Sequence, residues 1–539
     1  MHSRPHVHIM ILILALALFF AAVFNWTIFS HFFNILSALE SYKLGFAISI
    51  PIVLVAALNF VFTPFSIKYF VKPFFMLLIL SSSLVSYSMF KYGVIFDKDM
   101  IRNLMETNQS EATSYLNTSI VLWFLFTGIL PCLVLAWVKI EYHTRWYQGI
   151  FYRCASMLAS ALIIGGVAAL YYQDYASIGR NNSSLNKEIV PAYHVYSTTK
   201  YIKERFFHHA QPFAKLGLDA VRTRSSDKPT LMFLVVGETA RAANFSSNGY
   251  HKETNPFTAS KEGVISFQQV RSCGTATAIS IPCMFSNMGR AGFDSQKAKN
   301  SEGLLDVLQR GGVNILWKEN DGGCKGVCDR VPTITINPKD FPGLCNGKTC
   351  YDEVMLENIE HEIKSMAGDK LIAFHLIGSH GPTYFQRYPD SQRQFTPDCP
   401  RSDIENCSPQ ELENTYDNTI RYTDKVIGNM IDTLSAYQDK YQTALLYISD
   451  HGESLGELGL YLHGAPYKLA PEVQTHVPMQ LWLSQGFAKS HNIDLSCLRN
   501  NAAREAYSHD HFFSSMLGLW NIRSSVYDQQ LDLFAGCRS

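Results

Sequence analysis

Hydrophobic positions fall along this chain in two different patterns. Up to about residue 172 they form five stretches long enough to cross a bilayer, at roughly 9–29, 45–65, 70–90, 119–138 and 154–172, since about 20 apolar residues suffice. The first is too long for the apolar core of a cleaved leader, and four more spans follow it. Beyond residue 229 the apolar runs are short and end abruptly in polar residues. Leu231 to Val236 runs into Gly237-Glu238-Thr239, Asn314 to Trp317 into Glu319-Asn320-Asp321, Leu371 to Ile377 into Gly378-Ser379-His380-Gly381, and Ala444 to Ser449 into Asp450-His451-Gly452-Glu453. Short continuous apolar runs mark strands buried on both faces, which belong to parallel α/β sheets. Ligands in such sheets bind beyond the carboxyl ends of the strands. The pattern therefore predicts a membrane domain at 1–172, a bridging segment at 173–229 and an α/β domain at 230–539. In the bridge an amphipathic helix is expected around Tyr193 to His209.

Charge orients the membrane half. Arg4, Lys68, Lys72, Lys139, Arg145 and Arg153 fall on one side of the expected spans. The opposite loops balance Lys91, Lys98 and Arg102 with Asp97, Asp99, Glu106 and Glu111. The positive-inside rule puts the N-terminus in the cytoplasm, and five spans put the α/β domain outside. Over the whole chain 46 Lys and Arg equal 46 Asp and Glu, leaving no basic footprint for nucleic acid.

Cysteine usage points the same way. Ten of the twelve cysteines lie after residue 270, eight of them in four close pairs. Outside the cytosol this reads as disulfides, with pairings 273–283, 324–328, 345–350, 399–407 and 497–537. The competing reading is a zinc site at Cys324 and Cys328, whose spacing is compatible with metal ligation.

Glu238, Asp450, His451, His380 and His463 supply two carboxylates and three imidazoles, enough for two zinc ions and too many for one. Any one of them alone reads as a satisfied polar residue at a strand end; the joint pattern reads as a metal centre. A nucleophile is sought in the run Cys273 to Cys283, where Thr275, Thr277 and Ser280 offer hydroxyls. A hydroxyl at a helix start sits in a field that favours anions, and a metal would lower its pKa. Composition does not choose Thr277 over Thr275. In the loop between the third and fourth spans, Asn103, Thr107 and Glu111 recur every four residues, so on a helix they share one face. Alone, that stripe reads as a solvated face.

Five N-terminal spans combined with Gly-Glu-Thr-Ala-Arg at 237–241, Cys-Gly-Thr-Ala-Thr-Ala at 273–278, Gly-Ser-His-Gly-Pro at 378–382, Ser-Asp-His-Gly-Glu-Ser at 449–454 and Tyr-Leu-His-Gly at 461–464 resemble the lipid A phosphoethanolamine transferases, including the mobilised colistin-resistance enzymes. The resemblance covers nearly the whole chain. It implies an alkaline-phosphatase-like periplasmic domain, with a largely parallel sheet and helices on both faces, anchored in a bacterial inner membrane as a monomer. It implies zinc as cofactor, phosphatidylethanolamine as donor and lipid A as acceptor, with polymyxin resistance as the consequence. By the same resemblance Thr277 is the nucleophile that carries phosphoethanolamine. Glu238, Asp450 and His451 hold zinc with Thr277, and His380 and His463 bind a second zinc or the phosphoryl group. Lys325 contacts phosphate, Glu453 is an acid behind the ligands, and Asn103, Thr107 and Glu111 bind the substrate head group. Asp321 departs from the Asn that some relatives carry four residues before this Lys. The rival readings are a phosphoglycerol transferase or sulfatase of the same superfamily and a non-catalytic zinc-binding sensor. A sulfatase would need Cys or Ser in a Cys/Ser-x-Pro-x-Arg setting, which the sequence lacks.

Overall fold

The computed structural model describes residues 4–37, 42–107, 109–182, 184–207, 212–223 and 226–538, with the side chains of Ser110, Glu111, Arg180 and Asn181 outside the described set. The chain divides into two compact units, one formed by Met1–Ile101 with Leu116–Ile202 and the other by Arg102–Tyr115 with Lys203–Ser539.

The first unit is built from the expected apolar stretches. Leu44–Phe65, Val71–Tyr92, Thr118–Trp137 and Trp146–Gly179 are each long and apolar enough to cross a membrane. The first stretch differs from the single span expected at 9–29: Ile9–Phe24 and Trp26–Ser37 meet at a bend of 61°. Asn25 causes the break. Its buried side-chain amide donates to the carbonyls of Phe20 at 2.9 Å and Val190 at 2.7 Å and accepts from Val190 N–H at 3.0 Å. A polar side chain that satisfies backbone groups lets an apolar helix turn where hydrocarbon would forbid it. The amphipathic helix expected near 193–209 is found at Ala192–Phe206.

The second unit centres on a seven-stranded sheet. Its strands are β1 Thr230–Gly237, β2 Val264–Phe267, β3 Asn314–Glu319, β4 Thr333–Thr335, β5 Lys370–His375, β6 Gln442–Ser449 and β7 Met479–Leu483. Their order across the sheet is β2-β7-β6-β1-β5-β3-β4. Every neighbouring pair is parallel except the two made by β7, which runs against both β6 and β2. The central strands β1 and β5 are buried at every position, as their unbroken apolar runs require. Met232, Leu234 and Val236 face a core that includes Trp317, Phe512 and Trp520. Phe233 packs edge-on against Phe374 on the other side. Burying one such side chain contributes about 1.5–3 kcal/mol, so this alternation decides which layer each element joins.

Helix α1, Thr277–Met284, and the long helix α2, Pro409–Ser435, flank the sheet. Helix α2 starts where Ser408 and Glu411 cap each other reciprocally, with Pro409 in its first turn, a combination that fixes a helix N-terminus. All five expected disulfides are formed, at 273–283, 324–328, 345–350, 399–407 and 497–537. Cys324 and Cys328 are bonded to each other, which uses the thiolates that the competing zinc reading needed.

Candidate functional site

The sheet register itself assembles the site. Gly237 at the end of β1 lies opposite Ser449 at the end of β6, so the next residues, Glu238 and Asp450, emerge side by side. Thr239 holds both. Its backbone sits at φ 59°, a left-handed conformation that a β-branched residue adopts only at a cost of about 1–3 kcal/mol. In return its N–H donates to Asp450 Oδ1 at 3.2 Å and its hydroxyl donates to Glu238 Oε1 at 2.5 Å. Gly378, at φ 49°, passes so close that a Cβ there would stand 2.6 Å from the carbonyl oxygen of Glu238. Only glycine fits that approach. Asp352 fixes the same loop by accepting from the N–H groups of Ile377 and Gly378, both at 2.9 Å.

His451 is oriented from behind. Its Nδ1 lies 2.9 Å from the carbonyl of Gly452, and a carbonyl can only accept, so Nδ1 carries the proton and Nε2 presents a lone pair. That Nε2 lies 3.3 Å from Asp450 Oδ2, 3.4 Å from Glu238 Oε1 and 3.3 Å from Thr277 Oγ1. Thr277 Oγ1 is also 3.1 Å from Glu238 Oε2. All four side chains are buried.

The geometry chooses among the hydroxyls where composition could not. Thr275 donates to the carbonyl of Ala465 at 2.6 Å, and Ser280 donates to the carbonyl of Asp450. Both are occupied with backbone. Thr277, first residue of α1, faces the acids and the imidazole. His509, which sequence reasoning missed, fastens this arrangement from beneath. It accepts from Cys273 N–H at 3.1 Å through Nδ1 and lies 3.0 Å from the carbonyl of Ser449 through Nε2. Burial pushes its pKa down to about 3, which keeps the ring neutral and both contacts compatible. His509→Ala should orphan two buried backbone groups and lower the stability of this unit by roughly 2–4 kcal/mol, measurable as a reduced melting temperature; an unchanged melt would show that His509 holds nothing.

His380 and His463 stand on the same rim, their rings 5.8 Å apart. One ligand atom each of Glu238, His380 and His463 fall within 4.8 Å of one another. Glu453 lies behind His463, its Oε2 2.9 Å from Nδ1, and accepts a hydrogen bond from Tyr384 on its other oxygen. Burial pushes its carboxyl up to about 8. Glu453 thus holds an imidazole in place. Lys325 is half-buried inside the Cys324–Cys328 loop, with φ 51°, and lines a cavity of about 490 Å³ with Glu106, Pro282 and Arg330. Glu319 and His375, absent from the expected site, lie deep at the ends of β3 and β5 and contact each other at 3.0 Å.

The segment of the polar stripe is divided between two short helices. The helix carrying Asn103, Lys98–Glu106, stops before Thr107, and a second begins at Gln109. Thr107 donates its hydroxyl to the carbonyl of Asn103 at 2.8 Å, an i−4 bond of the kind Ser and Thr make in helical geometry, and residue 108 lies outside the described residues. Asn103 and Thr107 belong to the α/β unit through Arg102–Tyr115; Lys299, for instance, pairs with Glu106 at 2.8 Å. The side chain of Glu111 lies outside the described residues.

Glu238, Asp450 and His451 fit a divalent ion of the zinc type. One ligand atom from each lies within 4.8 Å of the others, and two carboxylates with one imidazole suit zinc while Thr277 completes four donors. Asp450 Oδ2 is buried with no hydrogen-bond partner, an oxygen left for something other than protein. Burial pushes this carboxyl up to about 6.

A family model described as phosphoethanolamine transferase EptA/EptB matches residues 54–206, and one described as sulfatase matches residues 230–522. The chain is 40% identical over 539 residues to phosphoethanolamine transferase EptA of Escherichia coli (strain K12), covering 99% of this chain and 98% of that one. It is 36% identical over 493 residues to phosphatidylethanolamine transferase Mcr-1 of Escherichia coli, covering 89% and 90%. Among solved structures it is similar to the integral membrane protein lipooligosaccharide phosphoethanolamine transferase A of Neisseria meningitidis, with a TM-score of 0.94, 38% identity and 98% coverage of both chains.

Proposed function

Because this chain belongs to the phosphoethanolamine transferase EptA/EptB family, we propose that it transfers phosphoethanolamine from phosphatidylethanolamine to a phosphate of lipid A through a covalent intermediate on Thr277. The observation that carries this reading is the Thr277 hydroxyl, held 3.1 Å from Glu238 Oε2 and 3.3 Å from His451 Nε2 while its neighbours Thr275 and Ser280 are bound to backbone. A non-catalytic zinc sensor has no use for a hydroxyl so placed.

In the first half-reaction Thr277 Oγ1 bonds to phosphorus and the bond from phosphorus to the diacylglycerol oxygen breaks. Glu238 Oε2 is placed to take the hydroxyl proton. His463, backed by Glu453, protonates the departing diacylglycerol oxygen and is later recharged from water. In the second half an ionised lipid A phosphate oxygen attacks phosphorus, the Thr277 ester bond breaks, and Glu238 returns the proton. A zinc ion held by Glu238, Asp450, His451 and Thr277 would lower the pKa of the hydroxyl and neutralise phosphoryl charge. His380 and Lys325 bind phosphoryl oxygens, where positioned charge does most of the work. Asn103, Thr107 and Glu111 take the ethanolamine phosphate head group.

Five disulfides support placing the catalytic domain, 230–539, in the periplasm. The membrane domain is 1–172 and the bridge 173–229, with the N-terminus cytoplasmic and the protein acting as a monomer. Adding an amine to lipid A reduces the negative charge that attracts cationic peptides, so polymyxin (colistin) resistance should follow. The test is expression in a host with unmodified lipid A, followed by mass spectrometry of the lipid. A phosphoethanolamine adduct is expected. A phosphoglycerol adduct would select the rival transferase, and unchanged lipid A from folded protein would overturn both.

A further inference from the structure

The end of β3 carries chemistry that the Thr277 centre does not use. Glu319 closes that strand and lies opposite His375, which closes β5. Its carboxylate is anchored on several sides. It accepts from Trp317 Nε1 at 2.9 Å, from Asp321 N–H at 2.8 Å and from Gly322 N–H at 3.0 Å. The same carboxylate stands 3.0–3.1 Å from Nδ1 of His375.

A carboxylate that fixes one imidazole nitrogen leaves the other aimed away from it. The Nε2 of His375 is completely buried and has no hydrogen-bond partner. Across from it lies Asp321 Oδ2, at 3.9 Å. That gap is too wide for a hydrogen bond. Two donors about 2.0–2.2 Å from a tetrahedral ion stand about 3.4 Å apart, so a movement of about half an ångström would bring this pair onto one ion. Glu238 closes the third side, and one ligand atom each of Glu238, Asp321 and His375 fall within 4.8 Å of one another.

We propose that Glu238, Asp321 and His375 form a second divalent-cation position, distinct from the set of Glu238, Asp450 and His451, with Glu319 as the residue that orients His375. Metal-bound histidines habitually donate their other ring N–H to a carboxylate in this way. Two carboxylates and one imidazole suit zinc or another first-row divalent ion. Such an ion would offset the charge of Asp321 and hold Glu238 in place. The competing occupant is a proton on His375, which would satisfy the same acids without a metal.

Zinc counting separates the two. Full-length protein purified in detergent is stripped with chelator, reloaded with zinc chloride, freed of excess by gel filtration and assayed by plasma mass spectrometry. Asp321→Asn and His375→Gln should each carry one zinc fewer than the wild type while keeping its near-ultraviolet circular dichroism. Equal zinc in the wild type and both variants would overturn the proposal in favour of the proton. Should His375→Gln fail to fold, the isosteric Asp321→Asn decides the matter alone. The inference rests on the proposed centre only for the shared Glu238. Asp450→Asn should lose that centre's ion and keep this one, so loss in Asp450→Asn with none in Asp321→Asn would sink this inference and leave the other standing.

Discussion

Replacing Thr277 by alanine should lower transfer of phosphoethanolamine to lipid A by about 10⁴-fold or more, the scale seen when an enzyme loses its attacking group. The substitution removes one hydroxyl and little else. Glu238, Asp450 and His451 keep their positions through Thr239, the sheet register and the Gly452 carbonyl, none of which involves Thr277. Zinc content should therefore stay near the wild-type value while activity disappears. That combination separates a nucleophile from a residue that merely completes the metal's ligands. Intact-protein mass spectrometry after exposure to phosphatidylethanolamine should show an ethanolamine phosphate adduct on the wild type and none on Thr277→Ala. Thr277→Ser, which restores an oxygen, should recover activity to within roughly 10–100-fold of the wild type. Thr275→Val supplies the opposite control. It loses one hydrogen bond, to the carbonyl of Ala465, costing about 1 kcal/mol of stability, yet the chemistry should remain. A Thr277→Ala variant that still transferred phosphoethanolamine would remove the covalent intermediate altogether.

How much of this was legible in the sequence depends on the distance over which each feature is decided. The strands were legible because a strand buried on both faces needs an unbroken apolar run, and β1, β5 and β6 are written that way. Four of the disulfides were legible because cysteines at most 10 residues apart have few other partners within reach, and the fifth, between cysteines 40 residues apart, joins the pair then left over. The break at Asn25 was not, because its partner Val190 lies 165 positions away. The choice of Thr277 over Thr275 turned on the carbonyl of Ala465, brought back by the chain 190 residues later. His509 and Tyr384 escaped notice for the same reason: each acts on a partner far along the chain, and no local pattern marks a histidine that braces a loop. The stripe at Asn103, Thr107 and Glu111 is a different case. Spacing of four is a helical signature only while one helix lasts, and here Lys98–Glu106 and Gln109–Ser114 are separate helices.

The four strand ends also turn out to serve one residue. Glu238 touches the ends of β6 and of the β5 loop, and its neighbours include His451, His380, His463, Asp321 and His375. A single carboxylate has two oxygens, so it cannot serve every one of these groups with a separate ion at once. Which positions are filled is decided by how well each donor set is held. His451 and His375 are both fixed through Nδ1, one by a carbonyl and one by a carboxylate, and both present Nε2 to Glu238's surroundings. That shared construction marks the two Nε2 atoms as the best-held imidazole donors beside Glu238.

Asp450→Asn should change stability in opposite directions with and without zinc. In the metal-free wild type, Asp450 Oδ2 is buried without a hydrogen-bond partner, and burial raises the carboxyl to about 6. A raised folded-state pKa favours the protonated folded form. The corresponding stability is complete below the ordinary carboxylate value and is lost as the pH rises through about 6. At neutral pH the ionised group therefore costs the metal-free protein on the order of 2–3 kcal/mol. Asparagine keeps an oxygen for the N–H groups of Thr239 and His451 but carries no charge. In chelator at pH 7 the variant should melt no lower than the wild type, and a degree or more higher if the relief is complete. Zinc reverses the order. At about 100 times its dissociation constant a bound ion stabilises the wild type by roughly 2.7 kcal/mol, about 5 °C in melting temperature for a domain of this size. The variant, missing a ligand of that ion, should lose this share of the gain and keep only what the second position supplies. A variant that melted lower in chelator and still bound zinc as the wild type does would mean that Asp450 is a structural acid, with the ion held by other residues.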